Sequence, residues 1–358
     1  MVILHFFEKS KILLSYLNFL RKNYEIADHH FVIWDAKSEY FYFNEEELHG
    51  FNVNYISRIS LIDAFRAARL CEEYDIIVFH SLFFPVNLML SFTIKRAHLY
   101  KTVWTIWGGD LANYVGNIDF KRKMWAVLRN RVISRIGYVV TTNVEYNLLT
   151  KTFNIRPTRI DASYPYLAEQ SSIPNQGQLD DKQINILLGN YATRGNRHIE
   201  TLYLLSKFKD HDIKIYIPLS YGDQNYARDV KFIAKNIFEE KAIPLTEFMD
   251  RKEYGKLLSR IKIGIFNSSQ QMAMGTIYSL LLSETKIFTD PSGSIGEILL
   301  NERGLKIHTI DEIRNLSFDD FVNIHPEEVM ENRNKAMSFL SNENIKKQWS
   351  DVFNIRSG

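Results

Sequence analysis

Short apolar runs alternate with longer stretches of helical period along this chain, and the alternation starts over halfway. Residues 1–6, 30–34, 75–80, 100–107 and 137–141 are rich in Val, Ile, Phe, Tyr and Trp and read as strands. Between them Ser60 can cap a helix over residues 61–68, where Leu61, Phe65 and Ala68 share a face. Strands that are apolar almost throughout need cover on both faces, which a parallel, doubly wound sheet with helices on either side supplies. From Glu169 to Asp181 the chain carries Ser, Pro, Asn and Gly without apolar period, the composition of a linker. The pattern then restarts, with strands over 184–188, 213–218, 241–245, 261–266 and 286–289 and helices over 199–208, 226–238 and 252–260.

The 358 residues exceed what one hydrophobic core usually serves. The expected organisation is α/β: a Rossmann-like domain over 1–168, a linker over 169–183, a second Rossmann-like domain over 184–325, and helices over 326–358 that return to the first domain through Trp349 and Phe353. One cysteine, Cys71, excludes an intrachain disulfide and a cysteine-rich metal site. No apolar run approaches the roughly eighteen residues of a membrane span, and the N-terminus lacks a signal peptide's basic start and long apolar core. A cytoplasmic setting is expected. A net charge of +2 does not by itself imply nucleic acid.

The chemistry is expected at the strands' carboxyl ends, where doubly wound sheets bind ligands. Asn267-Ser268-Ser269-Gln270-Gln271-Met272-Ala273-Met274-Gly275-Thr276 joins an apolar strand to an apolar helical run. A helix start leaves N–H groups unpaired and favours an anion, so this loop reads as a phosphate site. Gly189-Asn190-Tyr191-Ala192-Thr193-Arg194-Gly195-Asn196-Arg197-His198 opens the second domain in the same manner. Gly189 would let backbone approach a phosphate, Thr193 and Asn196 would donate hydrogen bonds, and Arg194 or Arg197 would neutralise charge; the plainer alternative is a turn in which Asn196 caps a helix. Next along the edge, Pro218 and Gly222 shape a turn, with Tyr221 either stacking on a base or sugar or covering the sheet edge. Glu247 follows a further strand and offers a carboxylate to a ribose hydroxyl.

In the first domain Ile106-Trp107-Gly108-Gly109-Asp110-Leu111 ends a strand in two glycines and a carboxylate. Asp110 is the first choice of general base and His80, at another strand end, the second; the alternative for Asp110 is a turn aspartate capping the next element. Asp210-His211-Asp212 resembles a metal-binding DxD but precedes its strand, on the side opposite the loops, so no metal is expected. Residues 120–135 form a cationic helix in which Lys121, Arg122, Lys123, Trp125 and Arg129 would meet an anionic membrane, with the apolar stretch 82–92 and Lys95-Arg96 nearby. The alternative is a helix covering the sheet with a basic outer face.

Four of these loops, Ile106 to Leu111, Gly189-Asn190 with Asn196-Arg197-His198-Ile199, Ile217-Pro218-Leu219-Ser220-Tyr221, and Gln270-Gln271 with Gly275-Thr276, resemble glycosyltransferase family 56, the 4-alpha-L-fucosyltransferase family. The resemblance runs through Trp349, and Met272-Ala273-Met274 stands where the family has a more glycine-rich step. It implies a GT-B fold, two Rossmann-like domains facing an interdomain cleft, and a cytoplasmic enzyme peripheral to the inner membrane. It further implies inverting transfer, without cofactor, of 4-acetamido-4,6-dideoxygalactose or a similar sugar from a TDP donor to an undecaprenyl-diphosphate-linked saccharide, as in enterobacterial common antigen assembly. Domain closure would bring the acceptor hydroxyl to the donor. The alternatives are a UDP- or GDP-sugar transferase for capsule or lipopolysaccharide, and a two-domain sugar sensor without chemistry.

Overall fold

Seven runs of the first half pair without exception in parallel. They are β1 (Ile3–Glu8), β2 (His29–Trp34), β3 (Asn52–Tyr55), β4 (Ile76–His80), β5 (Thr102–Thr105), β6 (Tyr138–Val140) and β7 (Thr158–Ile160), in the order β3-β2-β1-β4-β5-β6-β7. The second half builds a six-stranded parallel sheet of β8 (Ile184–Leu188), β9 (Ile213–Pro218), β10 (Ala242–Leu245), β11 (Ile263–Phe266), β12 (Lys286–Thr289) and β13 (His308–Thr309), in the order β10-β9-β8-β11-β12-β13. In each sheet the direction of winding reverses beside the first strand, between β1 and β4 and between β8 and β11. That reversal is the topological switch point at which an α/β sheet opens a ligand crevice.

The computed structural model describes residues 1–35, 44–111, 120–170 and 183–355. Two units partition the chain, Met1–Glu169 with Asn342–Gly358, and Gln170–Ser341. The expected linker falls for the most part outside the described residues. The expected return of the whole C-terminal tail to the first domain is divided: the helix Pro326–Leu340 belongs to the second unit, where it packs on the helix Met274–Leu282, and the helix Asn342–Phe353 belongs to the first.

Both faces of the first sheet are buried, which explains its continuous apolar strands. Leu4 and Phe6 of β1 face a core completed by the helices Leu61–Leu70, Val86–Ile94 and Phe120–Ile133. Ile3 and Phe7 face the opposite core, formed with the helix Lys11–Asn23 and with Ile345, Trp349, Val352 and Phe353 of the last helix. Trp349 is fully buried and its indole N–H donates to the Ser163 carbonyl at 3.0 Å. Trp349→Ala should therefore lower the unfolding free energy of the chain by about 3–5 kcal/mol in a urea titration, the usual cost of emptying such a site. A loss below about 1 kcal/mol would show that the last helix is not part of this core.

Candidate functional site

The loops after β8, β9, β11 and β12 are tied together by close backbone contacts. Gly189 has φ +70°, and an ideal Cβ there would lie 2.3 Å from Nε2 of His198. Only glycine fits. Gly222, at φ +104°, would drive a Cβ to 2.2 Å from the Ala192 carbonyl oxygen, which joins the β8 and β9 loops. A Cβ on Gly293 would lie 2.4 Å from the Ser268 carbonyl oxygen, and the Ser294 N–H donates to the Ser269 carbonyl at 3.1 Å. The β11 and β12 loops are thereby joined as well.

At the switch point, the helix Met274–Leu282 starts on Ala273, which holds φ +62° and gives no side-chain cap. A non-glycine residue in this left-handed region costs about 1–2 kcal/mol, so the glycine-rich step expected from the family is a backbone requirement that this chain meets with alanine. Gly275 and Thr276 sit in the uncapped first turn, and Thr276 hydrogen-bonds the hydroxyl of the half-buried Tyr254. Asn267 is buried, with its amide donating to Thr201 Oγ1 at 3.0 Å. Gln270 is exposed and Gln271 half-buried.

The cation at this point is Arg197, not Arg194. Arg197 Nη1 lies 3.1 Å from Asp290 Oδ2 and 3.5 Å from Asn267 Oδ1. Arg194 is instead exposed, near Asp229 at 4.0 Å and over the Tyr226 ring. Asp290 follows β12 and was not foreseen, although Asp290-Pro291-Ser292-Gly293 is a turn signal at a strand end. Burial would raise its pKa, but bonds from the Ser292 hydroxyl and N–H and from Arg197 outweigh this and hold the carboxyl below its usual range.

Other expected donor contacts serve as internal braces. The Asn196 amide, fully buried, donates to Asn190 Oδ1 and to the Tyr191 carbonyl, both at 2.9 Å. Thr193 Oγ1 accepts the Gly195 N–H at 3.4 Å. Pro218 is buried at the end of β9. One face of Tyr221 is taken by Tyr191, whose ring stacks on it at 5.1 Å and 5°, a spacing that leaves no room for a base between the two. Glu247 is exposed beyond β10, the outermost strand and two strands from β8.

Around the same edge, Asn196 Oδ1, both His198 ring nitrogens, Gln271 Oε1 and Thr289 Oγ1 are buried without a hydrogen-bond partner. Burial lowers the His198 pKa to about 4, so the ring is neutral. Buried polar groups in native proteins are nearly always paired, and these unpaired ones cluster at the carboxyl ends of β8, β11 and β12.

In the first unit Asp110 proves to be a brace. It is 1% exposed, with Oδ2 accepting from the Leu82 N–H at 3.0 Å and the Trp104 indole at 2.8 Å, and Oδ1 from the Trp107 N–H at 2.9 Å. Burial raises its pKa against the opposing pull of those hydrogen bonds. A general base must reach the proton it removes, and this carboxylate is instead occupied in tying the ends of β4 and β5 together.

His80 is likewise buried, with both ring nitrogens engaged, Nε2 with His5 Nδ1 at 3.0 Å and Nδ1 with the Tyr164 hydroxyl at 2.5 Å. Glu145, unforeseen, follows β6 in the first turn of the helix Asn143–Phe153. Its Oε2 accepts from Thr141 Oγ1 at 2.8 Å while Oε1 has no partner, and burial first, then the nearby Asp110, raises its pKa to about 7.

The membrane expectation for Trp125 and Arg129 is overturned. The Trp125 indole donates to the Phe84 carbonyl at 3.1 Å, and Arg129, 2% exposed, donates to the Asp110 carbonyl at 3.0 Å. Arg129 is thus committed to the Asp110 loop beneath the helix, and Trp125 is half-buried against the chain at Phe84. Lys123 is exposed; the side chains of Lys121 and Arg122 lie outside the described residues. The Asp210–Asp212 turn precedes β9, with the Asp212 carbonyl accepting the Ile184 N–H at 3.2 Å. Among the described residues no helix is long and apolar enough to cross a membrane.

Glu145 yields a stability test. Its folded pKa of about 7 lies above the ordinary glutamate value of 4.5, so its contribution is full below pH 4.5 and is lost as pH rises through 7. Glu145→Gln should be more stable than wild type at pH 8 by up to about 3 kcal/mol in urea unfolding, with the difference vanishing below about pH 4. Equal stability at pH 8 would refute the burial cost.

A family model described as 4-alpha-L-fucosyltransferase glycosyl transferase group 56 matches residues 5–302. Among solved structures, HepE of Anabaena in complex with UDP and glucose is similar with a TM-score of 0.65 at 12% identity, covering 99% of each chain. A glycosyltransferase from Rickettsia africae gives 0.64 at 15% identity, covering 98% of this chain and 97% of that one. The N-terminal domain of trehalose-6-phosphate phosphatase from Candida albicans gives 0.61 at 10% identity, with 98% and 96% covered. At these identities the likeness is one of fold, and that fold is GT-B.

Proposed function

The chain belongs to glycosyltransferase group 56, and from that premise we propose that it transfers 4-acetamido-4,6-dideoxygalactose, or a similar fucose-type sugar, from a TDP donor to an undecaprenyl-diphosphate-linked saccharide, with inversion and without a metal. The observation that carries the donor half is the convergence at the β8/β11 switch point of an uncapped helix start, the Arg197 guanidinium and the unpartnered atoms of His198, Gln271 and Thr289. As the glycosidic bond breaks, negative charge gathers on the diphosphate. The N–H groups of the first helical turn and Arg197 then interact more strongly than in the ground state, which is what lowers a barrier.

Binding of TDP, UDP and GDP to the full chain, followed by thermal shift, tests this reading. TDP should stabilise most, and Arg197→Gln should remove most of the shift. A larger shift with UDP or GDP would move the donor to the alternative class, and no shift with any of the three would refute a nucleotide site here.

The acceptor half gains support from the helix layer on the Leu4 face of the first sheet, not from Trp125 and Arg129. Ile59, Ile62, Ile94, Met124 and Val127 protrude from it, Ile59 by 90% and Ile62 by 66% of their surfaces. Exposed Lys95, Arg96 and Lys123 lie on the same helices or their ends. Apolar side chains among basic ones match an anionic lipid surface. Co-flotation with vesicles of one-third phosphatidylglycerol should fall several-fold in Ile62→Asp with Val127→Asp. Unchanged flotation would refute this surface.

A further inference from the structure

The loop after β11 ends in two thioethers for which an anion has no use. From Asn267 to Gln271 its side chains are those of Asn, Ser and Gln, and Met272-Ala273-Met274 then leads into the helix Met274–Leu282. Both methionines are half-buried. The Met272 methyl carbon lies 3.6 Å from where a Cβ on Gly195 would stand, and the next nearest atom to that point, Thr193 Oγ1, is 3.8 Å away. Met272 thus reaches from the β11 loop to the β8 loop, and β8 and β11 are the neighbouring strands of the switch point.

This contact can adjust while the backbone on either side of it stays in place. On one side, Gly195 lies in the turn Arg194–Asn196, which the buried Asn196 amide ties to Asn190 and Tyr191. On the other, Ala273 holds φ +62° and its carbonyl accepts the Ile277 N–H at 2.9 Å. Alanine at that step has less backbone freedom than glycine would have. Between the two loops, Gly195 offers no side chain, and methionine is unbranched, with three rotatable bonds and a polarizable sulfur that follow the shape of a neighbour.

Covalent connectivity decides which neighbour that is. In a nucleoside diphosphate sugar a single oxygen joins the anomeric carbon to the second phosphorus. A diphosphate held by the first turn of Met274–Leu282 therefore brings the sugar ring to the residues flanking that turn. A 4-acetamido-4,6-dideoxy sugar carries two methyl groups. C6 stands on C5, beside the ring oxygen, whereas the acetamido methyl is at the far side of the ring from C1, so C6 is the one nearer the diphosphate. A methyl group packs well against a thioether. A hydroxyl in its place would give up water for a sulfur that is only a weak acceptor.

We propose that Met272 selects a donor with a methyl group at C6 over one with a hydroxymethyl group there. The inference rests on the donor reading above, with the diphosphate at the β8/β11 switch point. Met272-Ala273-Met274 replaces a more glycine-rich step of the family, so the selection belongs to this chain's own residues. Glycine would leave C6 facing water, where either group is tolerated. Met272 touches the sugar and takes no part in breaking the glycosidic bond.

Titration calorimetry of the full chain with TDP, TDP-galactose and TDP-6-deoxygalactose tests this, because the two sugars differ only in the oxygen at C6. Wild type should bind the 6-deoxy sugar at least about fivefold more tightly than TDP-galactose. Met272→Ser should bring the two within about twofold of each other. Met272→Leu, which restores an apolar side chain of similar volume, should keep the preference. If wild type binds TDP without favouring the 6-deoxy sugar, if Met272→Ser keeps the wild-type ratio, or if Met272→Leu loses it, the selection fails and the donor site stands. If wild type does not bind TDP, the donor reading fails and takes the selection with it.

Discussion

Unbroken parallel pairing is the constraint from which the rest of this structure follows. It carries every strand's carboxyl end to one edge of its sheet, and the reversal of winding beside β1 and β8 opens that edge at one place in each unit. Gly189 against His198, Gly222 against Ala192 and Gly293 against Ser268 then set how closely neighbouring loops approach.

The two units treat charge in opposite ways. The second places Arg197, Asp290 and a helix start together, a setting for an anion. The first buries three imidazoles and two carboxyl groups, Asp110 and Glu145, and burial shifts each toward its neutral form.

Much of this was legible in the sequence. The apolar runs located most of the strands of both sheets, and strand-end position located the loops at Gly189 and Asn267. Strands β3, β7 and β13 escaped because they are short, lie at or near sheet edges, and carry polar residues such as Asn52, Asn54, Thr158 and His308. At the candidate site the residue types were informative but their directions were not. Asp110 had the position of a base, yet the Trp104 indole, distant from it in role but only six positions earlier, accounts for its carboxylate. Arg194 and Arg197 were equivalent as letters, and the left-handed backbone at Arg197, φ +45°, turns only the latter toward Asn267 and Asp290. The contact of His80 with His5 was invisible because the two meet only through strand register.

Crystals of the full chain grown with TDP give the decisive observation. The diphosphate should lie against the N–H groups of Gly275 and Thr276, within hydrogen-bond reach of the Arg197 guanidinium. Density for the diphosphate beside Glu247, or at the carboxyl edge of the first sheet, would contradict the assignment of the β8/β11 switch point as the donor site.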